Sequence, residues 1–205
     1  MERIELIANI IGKEVVMFAD ARNIGGPAPC QLDLDAFRRV RESQMNSWDD
    51  DVLESYLDDL FQAEKAGRNI VAEKYGYMME KTSIVEFEKI RVQLPIVTEN
   101  KKRMIDEIVV IHRMWIEELA AKYPRVLRYG RPLTSKEDLP GAPSMETYLR
   151  GELTSYSEAT IEKYFEMTKK FAVNGTNPIE IDILEQVRAQ GYASIEKAEE
   201  KIKSQ

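Results

Sequence analysis

Residues 98–124, TENKKRMIDEIVVIHRMWIEELAAKYP, decide the fold class. Taken alone, Ile108 to Ile111 is a β-branched run that suits a short strand. Its surroundings favour a helix. Ile108, Ile111, Trp115 and Leu119 recur at three- and four-residue steps, the spacing that lines one side of an α-helix. Charged helix formers flank the run on both sides. Pro124 closes the segment, because the residue before a proline is pushed out of helical geometry. The stretch therefore predicts one long helix from about Thr98 to Lys122.

The same period runs outward in both directions. Ile4, Ile7, Ile11, Val15 and Phe18 form an apolar stripe near the N-terminus, weakened slightly by Gly12. Asp33 or Asp35 can cap a second helix that carries Phe37, Val40 and Met45 toward Trp48. In residues 48–69, Val52, Tyr56, Leu60 and Ala63 share a face, Asp49 to Asp51 suit a positive helix start, and Gly67 marks the stop. Residues 69–82 and 83–95 read as two more helices, the second capped by Thr82 or Ser83 and closed by Pro95. Helical patterns return at 144–157, 157–173, 178–191 and 194–205, with Pro178 at a helix start. No alternating strand pattern or internal repeat interrupts them. The expected class is all-α, a single compact multi-helix bundle of roughly eight to ten helices with residues 1–205 as one domain.

With 205 residues and 43% hydrophobic content, the chain can build a core without covalent staples. Cys30 is the single cysteine, so no intramolecular disulfide forms, which fits a reducing compartment. Glu2, Glu5 and Glu14 do not suit a secretory leader, and no apolar run approaches the roughly 20 residues that span a bilayer. A cytoplasmic protein is expected, with no membrane partner. The net charge of −7 opposes nucleic acid as a default partner. Basic spots occur at FRRVR (37–41), NKKR (100–103) and RVLRYGR (125–131). On a helix such runs read as solvated faces, and only the last lies in a loop.

Two stretches break the helical pattern. In RNIGGPAPCQ (22–31), the paired glycines Gly25 and Gly26 and the prolines Pro27 and Pro29 read as a turn, since no phosphate-loop lysine or dinucleotide spacing accompanies them. Cys30 precedes the second helix, whose positive end favours a thiolate. A cysteine nucleophile also needs a base, and the only histidine, His112, shares an apolar helix side with Ile108, Ile111 and Trp115. His112 reads as a core histidine held by one hydrogen bond. One histidine cannot supply the paired Glu-x-x-His motifs of a di-iron bundle, and zinc and EF-hand motifs are missing as well. Carboxylate-only magnesium or manganese binding through Glu54, Glu73, Glu146 and Glu152 stays open, but 36 acidic residues leave that choice almost unconstrained. No cofactor or metal is assigned.

The second interruption, from Tyr123 to Ser144, carries Arg125, Arg128, Tyr129 and Arg131 in a connection longer than a bundle normally uses. Arginine forks suit carboxylates and phosphates, and Tyr129 offers a stacking face. Next comes SMETYLRGELTSYS (144–157). Here Met145, Leu149, Leu153 and Tyr156 make an apolar stripe, while Glu146 with Arg150 and Tyr148 with Glu152 stand as i,i+4 pairs. Gly151 inside this helix weakens it and so implies close approach of another helix or a ligand. The short LPGAPS link (139–144) should bring Arg128 or Arg131 near Tyr148 and Glu152.

NIGGPAPCQ, LESYL, AEKYGYMME, AKYP, SMETYLRGELTSYS and GYASIEKAEE together resemble an uncharacterised bacterial and archaeal family known as a domain of unknown function, number 4125. The similarity covers about Ile10 to Glu199 and implies no assigned activity. The expectation is a non-catalytic helical binding or accessory domain that recognises a protein partner or a small anionic ligand. Its candidate ligand-binding residues are Arg128, Arg131, Tyr148, Arg150 and Glu152. The alternative is an enzyme using a carboxylate-bound divalent metal or a Cys30 nucleophile.

Overall fold

The computed structural model describes residues 1–21, 31, 33–128 and 131–202. Eleven α-helices occur among them, with two 3-10 turns at Arg91–Gln93 and Ser135–Glu137 and no strand. The helices are α1 (Arg3–Asp20), α2 (Leu34–Asn46), α3 (Asp50–Lys65), α4 (Ile70–Thr82), α5 (Ile84–Ile90), α6 (Glu99–Lys122), α7 (Pro124–Arg128), α8 (Met145–Ser155), α9 (Glu158–Val173), α10 (Pro178–Ala189) and α11 (Ile195–Ile202). The all-α class stands. The short α7 lies where the sequence suggests a loop, and it takes the helix number just above expectation.

Capping groups set most of the helix starts. Side chains of Asp33, Asn69, Thr98, Ser144 and Ser157 each accept from a backbone N–H three residues on, and Asn177 accepts from Ile179 N. Each bond satisfies one of the orphan donors at a helix N-terminus. The β-branched run in α6 is fully helical, with Ile108 and Val109 buried and Val110 half exposed. In α1 the buried stripe contains Ile7, Ile11, Val15 and Phe18 as expected, together with Leu6 and Ile10. Ile4 is not part of it, at 84% exposure. Val40 in α2 also stays outside the core, because it stands at the edge of a cavity described below.

Two separate cores form. The larger gathers α1, the end of α2, α3, the start of α4, the first half of α6, α8 and α9 around residues such as Ile10, Met45, Leu53, Leu60, Ile105, Leu153 and Ile161. The smaller joins Leu119 and Tyr123, at and just past the end of α6, to Ile183 and Val187 of α10 and Ile195 and Ala198 of α11. Glu199 ties this second core together by accepting from the backbone N–H groups of Arg125 and Val126 at the start of α7. Among the described residues, helix α6 alone contributes buried residues to both cores.

Helices α4 and α8 lie closest at Gly151. A Cβ built there would sit 2.4 Å from Met78 Cγ and 2.9 Å from the Lys74 carbonyl oxygen. The Lys74 carbonyl is backbone, so only separation of the two helices makes room. Gly12 in α1 has nothing within 4 Å of the same construction. Opposite outcomes are expected in denaturant melts. Gly12→Ala should stabilise by about 0.5–1 kcal/mol through helix propensity. Gly151→Ala should instead destabilise by about 2 kcal/mol, because overpacking outweighs the same propensity gain.

Candidate functional site

Helical registers carry several charged groups into the larger core. Glu14 falls between Ile10, Ile11, Val15 and Phe18 on the buried side of α1. Arg41 lies four residues from both Phe37 and Met45 on α2, and Glu152 lies three and four residues from Leu149 and Tyr156 on α8. All three are buried. The Arg41 guanidinium donates through Nε and Nη2 to the two Glu14 oxygens at 2.8 and 2.7 Å. Its Nη1 donates to Glu152 Oε1 at 2.5 Å and to Gln44 Oε1 at 2.6 Å. Lys74 of α4 donates to Glu152 Oε2 at 2.8 Å. Tyr56 of α3 donates to Glu14, and Tyr156 to Glu152.

Two cations and two carboxylates balance in this network, and each carboxylate has more than one donor. Burial alone would push the Glu152 carboxyl up, yet Arg41 and Lys74 hold it well below the usual carboxylate range. Burial also lowers Arg41, and Glu14 and Glu152 more than reverse that, so its charge is fixed. Burial and the adjacent carboxylates raise the Tyr56 and Tyr156 phenols, which therefore remain donors. FRRVR is accordingly not a wholly solvated face. Arg38 is exposed and pairs with Asp35, whereas Arg41 is 5% exposed.

The network borders a cavity of about 730 Å³ where the two cores meet. Trp48, Tyr164 and Leu149 come from the larger core side, Ile183 and Val187 from the smaller, and Trp115 of α6 stands between them. Arg41, Glu152 and Tyr156 supply part of the polar wall. Another part is Asp182 of α10, whose Oδ1 is buried without a hydrogen-bond partner among the described residues. Burial and the neighbouring Glu185 push the Asp182 carboxyl up from 3.8 to about 7. His112 also lines the cavity, 4.9 Å from the Trp115 ring centroid, with Tyr164 Oη 3.5 Å from its Nε2. Burial pushes it down to about 4, so the imidazole is neutral.

Of the five residues proposed from sequence, Arg131, Tyr148 and Glu152 line this cavity. The Arg131 guanidinium lies 4.6 Å from the Tyr148 ring centroid, and Lys74 Nζ lies 3.7 Å from the same ring. Loop and polar helix thus meet, as the short link suggests. The reason is local. Asp138 accepts from Ser144 N and Thr147 Oγ1, and Glu146 accepts from Ser135 N, so residues 132–144 fold back onto the start of α8. Glu152 nevertheless neutralises Arg41 and Lys74 rather than a loop arginine.

Arg128 is exposed outside the cavity wall, and Arg125 pairs with Glu199. Arg150 bonds Asp106 instead of Glu146. Glu54, Glu73, Glu146 and Glu152 do not gather: Glu54 is exposed, Glu73 binds Arg68, and the other two have the separate partners just given. Among the described residues no group of three or more potential metal ligands occurs. Cys30, Gly25, Gly26, Pro27, Pro29 and Tyr129 lie outside the described residues. Sequence reasoning missed Glu14, Arg41, Lys74 and Asp182. The first two carried a usable signal, a charged side chain in an apolar helical register.

Arg41→Met should lower the unfolding free energy by about 3–5 kcal/mol, because Glu14 and Glu152 lose their shared cation inside the core. Arg38→Met, three residues away on the exposed side, should change it by less than about 0.5 kcal/mol. Urea unfolding of both variants checks the contrast.

Opposite pH dependences are expected from the two cavity carboxylates. Asp182 binds its proton more tightly when folded, so its contribution favours the native state at low pH and is lost as pH rises from 3.8 to about 7. Glu152 is shifted down, so its contribution is present above its unfolded value of 4.5 and is lost as pH falls below it. Thermal melts should therefore show Asp182→Asn gaining stability relative to the unsubstituted protein between pH 4 and 7. A flat difference across that window would contradict the assignment.

No helix among the described residues is long and apolar enough to cross a membrane. No curated protein matches the chain, and no solved structure does. One family model, described as a protein of unknown function (DUF4125), matches residues 4–200. That span takes in both cores and all of the cavity wall except Ile202, and the chain belongs to this family of unknown function.

Proposed function

We propose that the chain is a small-molecule-binding domain whose ligand occupies the cavity between the two cores. One observation carries the reading: two well-formed apolar clusters leave about 730 Å³ between them, walled by aromatic and aliphatic side chains. That volume falls within the roughly 300–1,000 Å³ of small-molecule sites. A helical protein gains by closing such a gap, since buried apolar contact is its main source of stability. The wall has the composition of a binding site, with a broad apolar surface and a few convergent polar groups. A binding role also fits the candidate residues, because Arg131, Tyr148 and Glu152 contribute to the wall while Arg128 and Arg150 do not. Recognition thus centres on the cavity, with Arg131 as an exposed cation at its mouth.

The chain has two tryptophans, and both Trp48 and Trp115 line the cavity. N-phenyl-1-naphthylamine, an apolar fluorophore that absorbs tryptophan emission, should bind saturably and one to one, quenching that emission. Ile179→Phe adds bulk to the wall at a half-buried position and should weaken binding by about tenfold, equivalent to about 1.4 kcal/mol. Its circular dichroism spectrum should not change. Non-saturable binding, or binding indifferent to Ile179→Phe, would count against the cavity as the site.

A further inference from the structure

Asp182 leaves polar chemistry open inside the cavity. Its Oδ1 is sealed from solvent and has no hydrogen-bond partner among the described residues, although a buried polar atom is normally bonded. The surrounding charges do not supply a partner. Arg41 on α2 is close enough to act on Asp182, but its donors go to Glu14, Gln44 and Glu152. Arg113 on α6 and Arg131 are exposed at the mouth, the first beside Glu117 and the second over Tyr148. Glu185 on α10 adds a like charge, Tyr164 on α9 brings a neutral phenol, and His112 on α6 is a neutral imidazole. The network of Glu14, Arg41, Lys74 and Glu152 is electrically balanced, so an ionised Asp182 is a surplus negative charge at the cavity wall.

The apolar part of the wall suits a positive guest as well. Trp48 and Tyr164 both line the cavity and meet edge to face at 5.4 Å. Aromatic rings present negative faces to a nearby cation. A carboxylate lacking a partner beside such rings is complementary to an ammonium group, which brings three donors and no acceptor.

We infer that the cavity takes a ligand with a protonated amine on an apolar body, the ammonium against the Asp182 carboxylate and the body against the aromatic wall. The inference rests on the cavity being the binding site and adds the charge type of its ligand. A free amine of this kind stays protonated at pH 8, because alkyl ammonium groups titrate near 10.

Three probes that share one frame test it: 4-phenylbutylamine, 4-phenylbutan-1-ol and 4-phenylbutyrate, titrated at pH 8 by tryptophan fluorescence and calorimetry. The amine should bind at least about tenfold more tightly than the alcohol, as a charge-assisted hydrogen bond implies, and the carboxylate most weakly. Asp182→Asn should bring the amine down to the alcohol while leaving the alcohol within about twofold. In the unsubstituted protein the amine's advantage should shrink as pH falls below 7, a readout that does not depend on any variant folding. Equal or tighter binding of the alcohol or the carboxylate overturns the inference. So does an amine preference that persists in Asp182→Asn or at low pH. If N-phenyl-1-naphthylamine binds and none of the three probes does, the amine inference falls alone. If the fluorophore also fails, the cavity reading falls and takes the inference with it.

Discussion

The Arg41 guanidinium, shared between Glu14 and Glu152, is the constraint on which the rest of the structure depends. Its carboxylate partners are 27 and 111 residues away in the chain, on α1 and α8. Lys74 extends the link to α4, and Tyr56 extends it to α3. Five helices therefore have to reach one register together, since any single misplacement strands a charge away from water. Buried ion pairs contribute modest net stability compared with apolar replacements of the same shape. What this one enforces is agreement between four consecutive helices, α1 to α4, and α8, whose Glu152 lies 78 residues beyond Lys74. Arg41, Glu152 and Tyr156 also form cavity wall, so the same contacts that align the larger core fix the polar side of the candidate site.

The helical class was legible because its determinants are local. Caps at Asp33, Asn69, Thr98 and Ser144 act on backbone groups three positions away, and apolar periodicity is visible within any window of a few turns. The meeting of Arg131 with Tyr148 was accessible for a similar reason, as a short link confines the reach of the chain. Gly151 belongs with these. A glycine inside a good helical pattern implied a close neighbour, and the Lys74 carbonyl is that neighbour.

Burial of charge was not legible in the same way. Within FRRVR only Arg41 shares the register of Phe37 and Met45, and whether a charge so placed is buried or solvated depends on whether distant carboxylates lie opposite it. Glu152 stood out as part of a polar helix, but its cations come from α2 and α4 rather than from the nearby loop. The cavity was hidden for a deeper reason. It is a volume left by two clusters that pack well internally, and a missing contact leaves no trace in hydrophobic spacing. Ile183 and Val187 of α10 pack in the smaller core while facing the gap.

Helix α6 gives the molecule a single rigid beam. Its 24 residues span about 36 Å and run from the larger core into the smaller. Lys101 near its start donates to the Thr154 and Tyr156 carbonyl oxygens at the end of α8, and Asn177 at the head of α10 donates to the Trp115 carbonyl oxygen at 3.1 Å. Helix α10 is thus anchored at one end to the beam that carries the larger core. Its 12 residues make a lever arm of about 18 Å, so a tilt of about 10° about Asn177 moves the far end by about 3 Å and the anchored end hardly at all. Asp182 lies near the fulcrum and Val187 farther out along the arm. A tilt that widened the gap would therefore displace Val187 about twice as far as Asp182, so it would act more on the apolar surface than on the acidic position.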